Sequence, residues 1–525
     1  MITGAGAGAR PRDYAHGMTL QELVDVSGRV RDTGSRRDKI ALLAACIGAM
    51  SPAEAAAGVA FLSGGPRQRQ TGAGFAALRG LPAPAEAATL SVADVDTALG
   101  QLAALRGPGS RRARLDGLEQ LFALATPAEQ RFLSALILGD LRQGALEGVM
   151  VEAVAAAAGL PAADIRRALM LRGDLDAVAE VALAEGRDGL ASIRLQVGRG
   201  VRPMLAQPAA DIDAALARTG PAAIEWKLDG ARIQVHRADG DVRVFTRSLD
   251  DVTGSVPEVV EAVEALDVRA VVLDGEAIAL RPDGRPHPFQ VTGGRFASRR
   301  DVAALRAAVP LDAFFFDLLH LDGEDLLDRP ASERLALLTA RIPARLRVPR
   351  IVAADREAAA AFVSDALARG HEGVMVKALD GLYAAGRRGS GWLKVKPRHT
   401  LDLVVLAAEW GHGRRRGRLS NLHLGARTAA GGFCMLGKTF KGLTDEMLAW
   451  QTERLLELET SRTEWRIDVR PELVVEIAFD GVQRSPRYPG GVALRFARVL
   501  RHRPDKRAEE ADTLETVLAI HSRSE

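Results

Sequence analysis

The hydrophobic pattern of the chain changes twice along its length. From about residue 18 to 198 it is rich in Ala and Leu, and stretches such as 130–138 place apolar residues at helical spacing. Helix starts are marked chemically. Thr19-Leu20-Gln21-Glu22 is a capping box, and Ser51-Pro52-Ala53-Glu54 and Thr126-Pro127-Ala128-Glu129 add proline at the first helical position. Gly198-Arg199-Gly200-Val201-Arg202-Pro203 reads as a linker. From about residue 221 the period shortens to two. The runs 232–236 and 242–245 flank Ala238-Asp239-Gly240-Asp241, a hairpin signal. Further strands are predicted at 271–273, 313–316 and 373–376, with helices near 256–266, 331–341 and 355–369. Beyond residue 400, strand-like runs at 402–407, 433–436, 473–477 and 494–500 surround one helical stretch at 445–458. That pattern suits a small Greek-key barrel of the oligonucleotide-binding (OB) type.

The expected organisation is therefore multidomain: a tail over 1–17, an all-α domain over 18–198, an α+β domain over 199–398 and a β-barrel OB-fold domain over 399–525. A length of 525 residues agrees, being too long for one ordinary core. With 47% apolar and 26% charged residues the composition is that of a globular protein. No secretory leader is visible, and no apolar run approaches the ~20 residues of a membrane span. Cys46 and Cys434 are the only cysteines, too few for a disulfide framework or a four-cysteine zinc site, and a reducing cytoplasmic setting fits. The net charge of +3 decides nothing about nucleic acid. Local clusters matter more: Arg111, Arg112 and Arg114, the segment Leu141-Arg142-Gln143-Gly144, and the loop Gly-His-Gly-Arg-Arg-Arg-Gly-Arg over 411–418.

The segment richest in chemistry is Glu225-Trp226-Lys227-Leu228-Asp229-Gly230-Ala231-Arg232. Its lysine lies between an apolar strand and an alternating hairpin, which would hold an amine in a fixed place. An amine with a pKa of about 10.4 must lose its proton to act as a nucleophile. Partial desolvation and nearby positive charge, from Arg232, Arg247, Lys394 and a bound metal, are expected to favour that loss.

Lys227-Leu228-Asp229-Gly230-Ala231-Arg232 resembles the K-x-D-G-x-R signature of the covalent nucleotidyltransferases, which comprise DNA ligases, RNA ligases and mRNA capping enzymes. Further blocks similar to that family follow in order: Val244-Phe245-Thr246-Arg247-Ser248, Leu273-Asp274-Gly275-Glu276-Ala277, Phe315-Phe316-Asp317-Leu318-Leu319, Glu372-Gly373-Val374-Met375-Val376-Lys377 and Trp392-Leu393-Lys394-Val395-Lys396. Arg495-Phe496-Ala497-Arg498, followed by Arg503-Pro504-Asp505-Lys506, resembles the last motif of ATP-dependent DNA ligases. The resemblance covers nearly everything beyond residue 200.

The resemblance implies a role for each matched residue. Lys227 would attack the α-phosphate of ATP and carry AMP, with Asp229 beside it in the motif. Glu225 would help read adenine and Phe316 would stack on it; Arg232 and Glu276 would hold the ribose and neighbouring groups. Arg247, Lys394, Lys396 and Arg388 would meet phosphates, with Arg387 as the alternative register for the last. Glu276 and Glu372 are hard oxygen ligands suited to Mg²⁺. Arg503, Asp505 and Lys506 would face the ATP site during lysine adenylation and leave it when DNA is encircled.

The long helical zone, the Arg503–Lys506 block and the arginine-rich loop favour a DNA ligase over a capping enzyme or RNA ligase. The expected substrate is nicked double-stranded DNA, the expected state a monomer, and no membrane is involved. Two cysteines cannot build the zinc module of NAD⁺-dependent ligases. A non-catalytic DNA-end scaffold is the competing class, and retention of Lys227, Glu276 and Lys394 argues against it.

Overall fold

The computed structural model describes residues 17–68, 71–297, 301–385, 391–397 and 399–524. Thr19, Ser51 and Thr126 each cap a helix: the hydroxyl accepts from the backbone N–H three residues on, and Glu22, Glu54 or Glu129 reaches back. Helices from Leu20–Asp32 to Gly186–Ser192 share one apolar core, with Leu23, Ile47, Phe61, Phe122 and Val154 fully buried.

The central region is built on two sheets. One comprises β1 (Gln207–Pro208), β2 (Ala222–Trp226), β8 (Arg350–Ala353), β9 (Val374–Ala378) and β10 (Trp392–Val395), in the order β1-β10-β9-β2-β8. The other comprises β3 (Ala231–Ala238), β4 (Asp241–Thr246), β5 (Ala270–Ile278), β6 (Asp312–Leu321) and β7 (Glu324–Asp325), in the order β4-β3-β5-β6-β7. The β3–β4 turn places Asp239 and Gly240 at φ 53° and 85°, so the Asp-Gly pair takes the mirror-image turn that matches strand twist. β2 belongs to one sheet and β3 to the other, so residues 227–230 cross between them.

The segment read as a linker is firmly held. Val201 donates its N–H to Gln234 Oε1 at 2.6 Å and accepts from Gln234 Nε2 at 3.0 Å. Met170 and Leu171, from the helical domain, join Val201, Met204, Tyr383 and Trp392 in one buried cluster. The helical domain thus rests against the back of the central sheets.

The third region is strand-rich and OB-like. A long strand β11 (His399–Trp410) pairs with β12 (Leu419–Arg427) on one side, which pairs with β13 (Phe433–Thr439). On its other side β11 meets β15 (Arg466–Val469) and β16 (Val474–Phe479), with β14 (Glu459–Arg462) beyond β15. β17 (Gly481–Arg484) and β18 (Val492–Arg495) form a separate hairpin, β19 (Arg498–His502) pairs with β16, and helix Asp445–Glu457 packs on β12. The predicted run 494–500 is not continuous: Phe496, at φ 54°, breaks it into β18 and β19. Alternation alone does not mark such a break.

Candidate active site

A cavity of about 680 Å³ opens where the two central sheets part. Backbone pairing fixes its floor. Lys227 N–H donates to Gly373 O at 2.9 Å and Glu372 N–H donates to Lys227 O at 3.0 Å, so Lys227 and Glu372 sit side by side although far apart in sequence. Two glycines permit this closeness. A Cβ at Gly373, at φ +134°, would lie 2.2 Å from Val395 O; one at Gly230 would lie 2.5 Å from Ala277 O.

Lys227 Nζ forms an ion pair with Glu372, whose other oxygen accepts from Lys396 Nζ at 2.7 Å. Burial alone would raise the Glu372 pKa, but the two ammonium groups overwhelm it and hold the carboxyl at about 2. Burial would lower the Lys227 pKa, yet Glu372, Glu276 and Asp229 raise it above its ordinary value. This differs from the expectation of an amine biased toward its neutral form: the carboxylates around Lys227 outweigh desolvation. Lys394, expected as a source of positive charge, has its own pKa lowered by burial and by Lys396 and Lys227. Glu276, opposite Arg232 across β3 and β5, is pushed up to about 7 by burial, with Lys227 and Arg232 offsetting part of the effect.

At the other end of the cavity Phe316, Met375 and Trp392 supply apolar walls. Phe316 and Trp392 meet edge to face at 5.8 Å. Glu225 is buried, and its carboxylate binds Arg350 and Lys377 at 2.6 and 2.7 Å. Arg232 lines the cavity but its fork is committed to Asp274, with bonds of 3.0 and 2.7 Å, and to Met204 O at 2.7 Å. Arg247 reaches the cavity from the exposed end of β4.

The strand-rich domain covers part of the opening. Lys441, Asp480, Phe496 and Arg498 line the cavity, and Arg495 Nη1 reaches Asp229 at 2.9 Å. Arg503, Asp505 and Lys506 are not among the lining residues. Arg503 and Lys506 both bind Asp402, at 2.9 and 2.7 Å, and Asp505 binds Arg503. In this arrangement of the domains their charges are neutralised within their own domain. Arg388, and Arg387 beside it, lie outside the described residues. Sequence reasoning gave no role to Trp392, Lys377 or Met375, although all three fall within quoted blocks. It missed Arg350, Lys441 and Asp480, which carry no motif signal.

The basic clusters of the helical domain are partly occupied. Arg112 pairs with Asp116 at 2.8 Å and Arg114 donates to Leu105 O at 3.0 Å, while Arg111 and Arg142 are exposed. Gln143 is buried and bonded to Ser27 and Leu62 O, which makes it a structural residue.

For a Mg²⁺ ion, the relevant observation is that the described residues hold no cluster of three or more His, Cys, Asp or Glu ligands. Glu276 and Glu372, on either side of Lys227, nonetheless fit an ion that takes one or two carboxylates with the rest from water and substrate phosphates. The upward-shifted Glu276 carboxyl has no ionic partner as close as that of Glu372, and a cation would favour its ionised form.

The described residues thus form a helical domain, a two-sheet domain with a lysine at the floor of its cavity, and a strand-rich domain over the opening. The family described as "ATP dependent DNA ligase domain" matches residues 203–396, "DNA ligase N terminus" matches 71–155, and "ATP dependent DNA ligase C terminal region" matches 415–506. A protein named probable DNA ligase from Anaeromyxobacter sp. (strain Fw109-5) is 60% identical over 511 residues, 96% of this chain and 98% of that one. Another, from Anaeromyxobacter dehalogenans (strain 2CP-C), is also 60% identical, over 96% of this chain and 100% of its own. The solved structure titled "Pmar-Lig_PreS3" shares the fold, with a TM-score of 0.59 at 19% identity over 92% of this chain and 99% of that one. The chain belongs to the ATP-dependent DNA ligases.

Proposed function

We propose that the enzyme seals nicks in duplex DNA through an AMP carried on Lys227 and then on the 5′-phosphate of the nick. The observation that carries this reading is Lys227 Nζ, ion-paired with Glu372 and within the electrostatic reach of Glu276, in a cavity also lined by Phe316, Met375 and Trp392. The base would lie against Phe316 and Trp392, with Glu225 at its edge. The phosphates would meet Lys394, Lys396 and Arg247. Glu276 and Glu372 would hold Mg²⁺, which when bound neutralises phosphate charge.

Lys227 attacks as a free amine, so its ion pair with Glu372 must loosen as ATP and its cation enter. Pyrophosphate leaves as the phosphoramidate bond forms, and AMP then passes to the 5′-phosphate. The 3′-OH attacks that phosphate and AMP departs. Positioning and charge neutralisation supply most of the rate. Arg111, Arg142 and the loop 411–418, whose Arg416 and Arg418 are exposed, suit contacts to the DNA backbone that carry no sequence information.

Incubation with α-labelled ATP and Mg²⁺ tests the first step. Wild-type protein acquires covalent label and Lys227→Ala acquires none; undiminished labelling of the variant would refute the assignment. The third domain is further proposed to swing, bringing Arg503, Asp505 and Lys506 to the ATP site for self-adenylation. Replacing Asp505 and Lys506 then impairs self-adenylation more than sealing of pre-adenylated DNA, and equal loss of both counts against the swing.

A further inference from the structure

We propose that Arg350 is a positioning residue that sets the preference for a 6-amino purine nucleotide by fixing the Glu225 carboxylate at the base end of the cavity. The inference rests on the function proposed above, in which this end receives the base.

Arg350 lies on β8, in register with Glu225 on β2. It belongs to none of the motif-like blocks and does not line the cavity. Its Nε donates to Glu225 Oε1 at 2.7 Å and its Nη2 lies 2.6 Å from the same oxygen. Glu225 Oε2 meets Lys377 Nζ at 2.7 Å, and Lys377 also donates to Phe316 O at 2.8 Å. The three side chains are only 11%, 2% and 1% exposed for Arg350, Glu225 and Lys377, so water does little to loosen the arrangement.

An ionised carboxylate only accepts hydrogen bonds and offers about four lone-pair sites. Arg350 Nε occupies one on Oε1 while its Nη2 donates to Phe316 O at 3.4 Å, and Lys377 occupies one on Oε2, so acceptor capacity remains for a ligand. That acceptor suits the exocyclic N–H of a 6-amino purine. A 6-oxo purine would place a carbonyl oxygen against it, and the two lone pairs would repel. Without Arg350, the donor that anchors Oε1 vanishes. The carboxylate is then free to turn onto Lys377 with both oxygens, and the aim of the remaining lone pairs is lost.

The test uses the full-length protein, Mg²⁺ and α-labelled ATP or inosine triphosphate, which replaces the 6-amino group with a carbonyl. The readout is the ratio of kcat/KM for protein labelling with the two nucleotides. Both are measured on the same preparation, so the folded fraction cancels from the ratio. Wild-type protein favours ATP. Arg350→Met lowers the ratio at least ~10-fold, Arg350→Lys retains most of it, and Glu225→Gln lowers it about as far as Arg350→Met. The Arg350→Met/Glu225→Gln double variant falls no further than Glu225→Gln, because Arg350 acts through that carboxylate. A ratio unchanged in Arg350→Met, or single effects that multiply in the double variant, overturns the proposal while the proposed function stands. Absence of label in wild-type protein with ATP removes both.

Discussion

The two ends of the cavity handle buried charge in opposite ways. At the proposed base end, the Glu225 carboxylate is tied to Arg350 and Lys377, and these three ions are 2%, 11% and 1% exposed. Those pairs compensate one another and nothing in the reaction needs to break them. Around Lys227, the proposed phosphate end, the ions are more exposed, with Lys227 at 22% and Glu372 at 15%. There the chemistry requires rearrangement, since an ammonium bound to a carboxylate is no nucleophile. Under the proposed function, one end is preorganised for recognition and the other exchanges partners when substrate enters.

The largest expected effect comes from breaking the exchangeable end. Glu372→Gln removes the main anion holding the Lys227 proton and one of two candidate metal ligands. Labelling at pH 7 falls at least ~100-fold, as for loss of a principal charge-stabilising group. In wild-type protein the labelling rate rises with pH toward the alkaline range, because the Lys227 pKa is raised and only the neutral amine attacks. In Glu372→Gln that rise shifts to lower pH; an unshifted profile would show that the pair does not govern the proton.

Glu276 offers a smaller effect, read in stability. Its pKa stands at about 7 in the folded protein against an ordinary 4.5, so between those values the folded state binds more protons than the unfolded one. Stability therefore falls as pH rises from 4.5 to 7 and levels off above. Glu276→Gln escapes this loss. Its thermal midpoint should exceed that of wild-type protein by on the order of 5 °C at pH 8, with no difference at pH 4.5. Equal midpoints at both pH values would remove the strained-carboxyl reading.

The contact that lets the third domain cover the phosphate end gives the smallest effect. Asp229 and Arg495 are each 23% exposed and span two domains. Arg495→Ala should cost less than about 1 kcal/mol. It should appear as a larger radius of gyration in small-angle scattering at low salt, a difference that shrinks as salt rises.

Much of the fold was legible because it is local. The capping boxes at Thr19, Ser51 and Thr126 span only four residues each, and the hairpin at Asp239-Gly240 needs only two in the left-handed region. β12, β14, β15 and β17 escaped notice, being short or lying in segments where arginines and glycines interrupt the alternation. The matched blocks carried Lys227, Glu225, Glu276, Phe316, Lys394 and Lys396 to one cavity, with Glu372 paired to Lys227, because each lies on or beside a strand of the two central sheets. Arg350 and Lys441 could not be foreseen, since their neighbours are set by strand pairing and domain packing.

The sequence by itself determined the residue types, the helix caps, the tight hairpin and the order of the reactive segments. Only the tertiary structure decided the direction in which the Lys227 pKa moves, because that depends on which carboxylates surround it. It also decided that Arg503 and Lys506 bind Asp402 while Arg495 and Lys441 stand at the cavity. Strand periodicity and capping act over a few residues and can be read from a chain. Ion pairing and domain placement depend on distances between residues far apart in sequence, and those exist only once the chain has folded.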